Sequence, residues 1–403
     1  MFSLIVKMAW KNSFLRFSRT LLVITMIAVS MSMMIGIQGL YDGMTANMID
    51  KNKRSDSGDV ALYAKEYRVE KDLKHRIRDA KEIKEEIARI AGVEAVVLRL
   101  RADGLASTAR KSSFATINGI ELSDEERFGA FSDFLKSGEL SLEKRDALIG
   151  IELAKTLKLH VGSKIIFSAQ DSSGEINSLA LKVSGIVQTT NISLDNSAIF
   201  VDSKRLHDFL GTSPTEATQI AVKSQDEGLH ARLKLKYPDL DVKSFLELQP
   251  MIKQMQEMMV LFNSITFFIV MSVVFVGILG VMYVSILDRI REFGIMLSIG
   301  MQYKYIRVQL FLEAMFVGFI GYMGGAVLGL VLLLYLRDYG LDLSAFADAM
   351  QSFGYETTVH GVIKISYFTT TLLAIMSASF LSVLIPLRKI KKLNPIEVIK
   401  AEK

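Results

Sequence analysis

The hydrophobic pattern of the chain is dominated by four long stretches almost free of charge. They run from Thr20 to Tyr41, Met258 to Leu287, Val308 to Leu336 and Ile365 to Leu387, with Glu313 the single charged residue among them. A helix rises ~1.5 Å per residue and a bilayer's hydrocarbon core is ~30 Å thick, so ~20 apolar residues suffice to cross it. Each stretch passes that test. Lipid offers no partner to backbone polar groups, so each is predicted to be a helix. The first is expected to be a retained span. Its apolar run is longer than a signal core, and no A-x-A site follows Gly36, Gly39 and Gly43.

Between the first two spans, from about Asp42 to Glu257, the pattern changes. Asp72 to Ile90 reads as a charged amphipathic helix with Leu73, Ile77, Ile83, Ile87 and Ile90 as its stripe, stopped by Ala91-Gly92. Runs near Val93–Leu100, Ser113–Ile120, Lys164–Ala169, Leu179–Val187, Ala198–Val201, Gln219–Lys223 and Asp241–Phe245 read as strands. Glu152–Leu159, Ser203–Leu210 and Gly228–Lys236 read as short helices, and Asp171–Gly174 as a turn. Mixed helices and strands predict an α+β domain. The expected class is therefore a membrane α-helical protein. It has four transmembrane helices and a large extracytoplasmic α+β domain between helices 1 and 2. Ahead of the second span, Leu246, Pro250, Met251, Met255, Met258, Met259 and Phe262 fall on one helical face, which predicts a stalk.

Charge supplies the orientation. Lys7, Lys11, Arg16 and Arg19 precede the first span, Arg289, Arg291, Lys304 and Arg307 follow the second, and Arg388, Lys389, Lys391, Lys392, Lys400 and Lys403 follow the fourth. The link between spans three and four holds only Arg337 and Lys364. The positive-inside rule predicts that both termini are cytoplasmic. The net +5 is mostly this topology signal, so nucleic-acid binding is not expected.

Catalytic patterns are missing from the sequence. There is no cysteine, no H-E-x-x-H, no G-x-S-x-G and no Walker A loop. His75, His160, His207, His230 and His360 are expected to be ordinary surface residues, and Asp124, Glu125 and Glu126 a solvated acidic turn. No metal or cofactor is expected in this chain. Glu313 stands out, because a carboxylate in a span is costly and points to function. Two readings remain: a proton relay, which lacks evident partners in the other spans, or a bond to a neighbouring helix or link residue. Gly321, Gly325 and Gly329 form a small-xxx-small face for helix packing, within the chain or against a second copy.

After the second span the chain reads Asp288-Arg-Ile-Arg-Glu-Phe-Gly-Ile-Met-Leu-Ser-Ile-Gly300, an amphipathic helix too short to cross. Arg289, Arg291, Glu292, Phe293, Gly294, Ile295, Ile299 and Gly300 resemble a signature of the MacB/FtsX-type (type VII) ABC transporter permeases. The tail residues Pro386, Arg388, Pro395, Ile396 and Glu397 are similar to that family's ending. Met8-Ala-Trp-Lys-Asn and Ile149-Gly-Ile-Glu-Leu-Ala-Lys-Thr-Leu resemble two further family segments.

The resemblance implies a permease without enzymatic activity of its own. Two copies of a cytoplasmic ABC ATPase would bind ATP and Mg and contact a coupling helix comprising Arg289, Arg291 to Met296, Ile299 and Gly300. It also implies a dimer, with a second copy or a paralogue, working by mechanotransmission to the outer domain. By size the chain looks most like the LolC/LolE subunits, which implies lipoprotein cargo, a periplasmic carrier and contact with membrane lipid. Met31, Met34, Met255, Met258, Met259 and Phe262 then suit acyl chains, although methionine equally fills irregular packing. A MacB-like exporter and an FtsX-like activator of a periplasmic hydrolase are the alternatives.

Overall fold

The computed structural model describes residues 2–391, apart from positions 190, 227, 348–349, 351–354 and 356. The chain divides into two units. The first comprises Met1–Thr45, Gln256–Ser344 and Thr358–Lys403, and the second Ala46–Met255 and Ala345–Thr357.

The first unit is built on helices α1 (Phe2–Ser13), α2 (Phe17–Ser55), α3 (Pro250–Asp288), α4 (Ile290–Ser298), α5 (Tyr303–Tyr339) and α6 (Ile365–Lys391). Four of them, α2, α3, α5 and α6, are long and apolar enough to cross a membrane. They outrun the charge-free stretches. Helix α2 continues past Tyr41 to Ser55 through Asp42, Asp50, Lys51, Lys53 and Arg54. Charge ends an apolar run but not a helix, since Lys and Arg are good helix formers. Helix α6 likewise continues through Pro386 rather than stopping there. The signature residues Pro395, Ile396 and Glu397 lie outside the described residues, as do Lys392, Lys400 and Lys403.

Val23, Ile27 and Met31 of α2, Ile278 and Met282 of α3, Leu310 and Ala314 of α5, and Ile375 and Val383 of α6 share the bundle interior. The glycine stripe lets α2 and α5 approach closely. A Cβ on Gly321 would lie 2.7 Å from Ile27 Cβ, one on Gly325 2.6 Å from Met31 Cβ, and one on Gly329 3.1 Å from Ile35 Cβ. The stripe thus receives a helix of its own chain. Helix α1, which the periodicity did not reveal, buries Ile5 and Ala9 and sets Trp10 edge-on to Phe316 of α5, 5.3 Å between ring centroids.

The second unit carries β1 (Val60–Ala64), β2 (Val93–Ser107), β3 (Ser112–Ile120), β4 (Leu135–Gly138), β5 (Asp146–Gly150), β6 (Lys164–Gln170), β7 (Ile176–Val187), β8 (Ala198–Asp202), β9 (Gln219–Ser224) and β10 (Leu240–Ser244). Hydrogen bonding runs β10-β1-β9-β2-β3-β8-β5-β7-β4, and β6 joins both β2 and β7. The path β2-β3-β8-β5-β7-β6 therefore closes on itself, while β9, β1 and β10 extend from β2 as an open sheet. The first half of β2, to Arg99, pairs with β9. From Leu100 onward it pairs with β3, and its last three residues also pair with β6. Alternation along β2 places Leu98, Leu100 and Ala102 on one face and Arg99, Arg101 and Asp103 on the other. Leu100 and Ala102 enter the ring's core.

Three sequence expectations need correction here. The helix expected over Asp72–Ile90 is helical only from Ala80 to Ala88. Lys71 is left-handed, the chain then turns at Leu73–His75, and Ile77 bridges Ala217, so the preceding segment is tied down without forming a helix. The acidic run is not a solvated turn. It lies in helix Leu122–Gly129, where Glu125 is buried and accepts bonds from Arg99 Nε (2.6 Å) and Nη2 (2.7 Å). His207 is also buried, its Nδ1 2.8 Å from Thr212 Oγ1.

Candidate functional site

The short helix α4 is fixed from beneath. Its signature residues divide into two sets. Phe293 and Gly294 are buried, and Met296 and Leu297 pack on the bundle. Arg289, just before the helix, is also buried. Its Nη1 donates to both carboxylate oxygens of Glu313 on α5, at 3.0 and 3.1 Å. Gln309 Nε2 donates to Glu313 Oε1 at 3.0 Å from one turn earlier. The Arg289 guanidinium stacks 5.1 Å from the centre of the Phe293 ring. Of the two readings of Glu313, the geometry fits the bond to a link residue: the membrane-helix carboxylate pairs with a cation brought in by the turn before α4. Burying that pair is tolerable because Gln309 adds a further hydrogen bond to the carboxylate.

A second pair of contacts fixes the turn. Asp288 lies 2.7 Å from Arg16 Nη1 and 3.1 Å from Arg19 Nη1, which precede the apolar run of α2. These half-exposed pairs are weak individually. The far end of α4 stops on Gly300, whose φ of 91° suits only a residue without a side chain. Gly300 N–H donates to Leu297 O and Met301 N–H to Met296 O, closing the helix with a reversal. That accounts for the last glycine of the signature on physical grounds.

The outward set is Arg291, Glu292, Ile295 and Ile299, with Gly300. Ile295 is 49% exposed and Ile299 78% exposed, so two aliphatic side chains stand next to a cation and an anion. That mixture makes the outer face of α4 both apolar and charged. It would be read from sequence as one amphipathic stripe, but the stripe and the exposed face both contain apolar residues.

The methionine expectation divides too. Met31 and Met34 are enclosed in the bundle, Met31 against Gly325, so neither is available to a cargo. Their burial fits the alternative reading, in which methionine fills irregular packing. Met255 and Met259 are half-buried, with Thr45 Oγ1 3.4 Å from Met259 Sδ. Met258 and Phe262 stay exposed at 50% and 58%. His75 is less ordinary than expected: its ring and the carboxylates of Glu66 and Glu70 lie within 4.8 Å of one another. Lys74 Nζ sits 2.8 Å from Glu70 and already neutralises part of that charge.

Comparisons with known proteins agree on one family. Residues 20–233 match the MacB-like periplasmic core domain, and residues 264–395 match the FtsX-like permease C-terminal domain. A macrolide export ATP-binding/permease protein MacB of Chlorobium luteolum is 21% identical over 431 residues, covering 98% of this chain and 60% of that protein. The protein of the same name from Neisseria gonorrhoeae is 27% identical over 184 residues, covering 41% of this chain and 28% of that protein. The chain thus spans less than two thirds of the length of these relatives. The crystal structure of the periplasmic region of MacB from Actinobacillus actinomycetemcomitans aligns at 16% identity with a TM-score of 0.33, over 49% of this chain and 92% of that one.

Proposed function

The chain belongs to the MacB/FtsX-type family of ABC transporter permeases, and from that premise we propose that α4 docks a cytoplasmic ATP-binding subunit. In this reading the protein is a multi-pass inner-membrane subunit with a periplasmic domain, and its termini face the cytoplasm. The basic residues flanking α2 and following α3 support that orientation. ATP and Mg are bound by the partner, two copies serving a dimer of permeases. One observation carries the proposal. Arg289 and Phe293 anchor α4 to the bundle, leaving Arg291, Glu292, Ile295 and Ile299 facing outward. A helix held that way passes a push on its outer face directly to α5.

Export of an apolar cargo is the first reading of the outcome, supported by the macrolide-export names of the curated relatives. Lipoprotein release to a carrier is the second, supported by the exposed apolar pair Met258 and Phe262 beside the amino end of α3. In both, the ATP-driven movement is carried along α2 and α3, whose helices continue beyond their apolar runs.

The test is the double variant Glu292→Ala/Ile295→Asp, which alters only exposed residues. After affinity purification from the native host, the wild-type chain is expected to bring down an ATP-binding subunit and the variant to lose most of it. Equal recovery with both, or no ATP-binding subunit with either, sinks the docking assignment. Copurification of a lipid-anchored protein rather than a small apolar compound would select the second cargo reading.

A further inference from the structure

Within the first unit, a cavity of about 280 Å³ lies between the turn from α1 into α2 and the end of α3. Its depth is set by the apolar runs. Arg16 and Arg19 stand just before the α2 run begins at Thr20, and Asp288 directly follows the last residue of the α3 run. The cavity therefore sits where charge-free sequence gives way to charge, the level of lipid headgroups around a membrane-crossing bundle. Its wall changes character at that level. Arg16, Arg19, Asp288 and Glu292 line it on the charged side, while Val281, Met282 and Val317 line it roughly one to two turns deeper in α3 and α5. Leu15, in its wall, and Val284 and Leu287, which flank Ser285 on α3, are exposed, so the cavity borders the lipid-facing surface.

The lining charges balance in sum but not in place. Three cations, Arg16, Arg19 and Arg289, face three carboxylates, Asp288, Glu292 and Glu313. Arg289 and Glu313 are buried and answer one another. Arg16 and Arg19 instead share one oxygen, Asp288 Oδ2, each reaching it through Nη1. A guanidinium carries five N–H donors, and both arginine side chains are 53% exposed, so each has donors to spare. Glu292, itself 59% exposed, meets Arg289 at 3.3 Å, a cation that Glu313 already neutralises. One positive charge is thus left over at Arg16 and Arg19, and one negative charge at Glu292. That arrangement suits a dipolar ligand without net charge. The volume falls just short of the ~300 Å³ at which sites for whole small molecules begin, so the cavity takes only part of a larger one.

We propose that this cavity binds the headgroup of a zwitterionic amine phospholipid, a phosphatidylethanolamine, whose acyl chains stay in the bilayer. The phosphate accepts from the spare N–H groups of Arg16 and Arg19, the forked donors that suit a phosphate best. The ammonium meets Glu292. The glycerol and the first acyl carbons lie against Val281 and Met282. Asp288 is the carboxylate nearest the bound phosphate, and the two guanidinia that it shares screen one anion from the other. The inference requires that the four apolar helices cross a membrane; it does not require that α4 docks an ATPase.

The probe is dioctanoyl-phosphatidylethanolamine, titrated into the lipid-depleted full chain in mild detergent and counted as bound adducts by native mass spectrometry, with no ATP-binding subunit present. One saturable adduct is expected with wild type. Arg16→Gln/Arg19→Gln, which alters two exposed residues, should weaken it roughly tenfold to a hundredfold, the effect of losing charge-assisted hydrogen bonds. That variant should melt like wild type in the same detergent, which separates loss of the site from loss of the fold. Ser285→Phe, which fills the cavity and leaves both arginines, should also remove the adduct. Dioctanoyl-phosphatidylglycerol should bind wild type more weakly than the ethanolamine lipid, and Glu292→Gln should erase that difference. Equal binding by wild type and the arginine variant overturns the proposal, as does phosphatidylglycerol binding as tightly as phosphatidylethanolamine. Displacement by an equal concentration of glycerophosphoethanolamine or inorganic phosphate would mark a site for a soluble phosphate and overturn it too.

Discussion

Removing Glu313 alone should be far more damaging than replacing the whole ion pair. Glu313→Ala strands the Arg289 guanidinium, whose side chain is 9% exposed, opposite an empty site on α5. Glu292 lies 3.3 Å from Arg289 Nε but is itself 59% exposed, so its help is screened by solvent. Breaking a buried pair by deleting one member costs about 3–5 kcal/mol. At about 2–4 °C per kcal/mol for a unit of this size, the melting temperature should fall by roughly 6–20 °C. The double variant Arg289→Met/Glu313→Leu removes both charges and keeps apolar volume, so it should recover most of that loss. The assay is thermal denaturation of the detergent-solubilised chain, monitored by the fraction remaining monodisperse. Equal losses in the single and double variants would show that the pair is not the anchor of α4. An unchanged Glu313→Ala protein would show the same.

Two further predictions concern packing and pH. Gly325→Val should destabilise the first unit by about 1–3 kcal/mol or more, because its Cβ would meet Met31 Cβ and Ala28 O at 2.6 and 2.8 Å. Gly280→Ala, which meets nothing within 4 Å, should be neutral or slightly stabilising in the same thermal assay. Burial lowers the His207 pKa below its ordinary 6.5, so the unfolded chain takes up the proton first. Stability linked to His207 is then fully present above pH ~6.5 and is lost as pH falls through the folded-state pKa. His207→Gln should flatten the acid side of a denaturation profile taken between pH 7 and pH 5, and an unchanged slope would remove His207 as the cause.

The four membrane helices were legible because bilayer thickness imposes a length on charge-free sequence. Their continuations were not, since Asp50, Lys51, Lys53 and Arg54 look the same in a helix as in a loop. Most strands of the second unit were legible from β-branched runs such as Val93–Leu100. Strand β2 nevertheless continues past Leu100 to Ser107 through Asp103 and Gly104, residue types that are depleted in strands. The signature after α3 marked the candidate site, but not which of its residues face outward. That division depends on Glu313, 24 residues from Arg289 in sequence, and local periodicity carries no information about so distant a partner. Glu125 was misread for the same reason, its partner Arg99 lying on strand β2, 26 residues away in sequence from its place in a helix.

Strand β2 belongs at once to the closed ring and to the open sheet. Neither part can be cut out intact. A fragment holding the ring would expose the edge of β2 left by β9, and one holding the sheet would expose the edge left by β3. Either is an invitation to pair with another chain and aggregate. The shared strand therefore joins the two parts into one unit of folding, and slow amide exchange should persist longest along its middle residues. For anyone seeking a soluble piece of this protein, the smallest sensible cut lies outside β1 and β10, not between them.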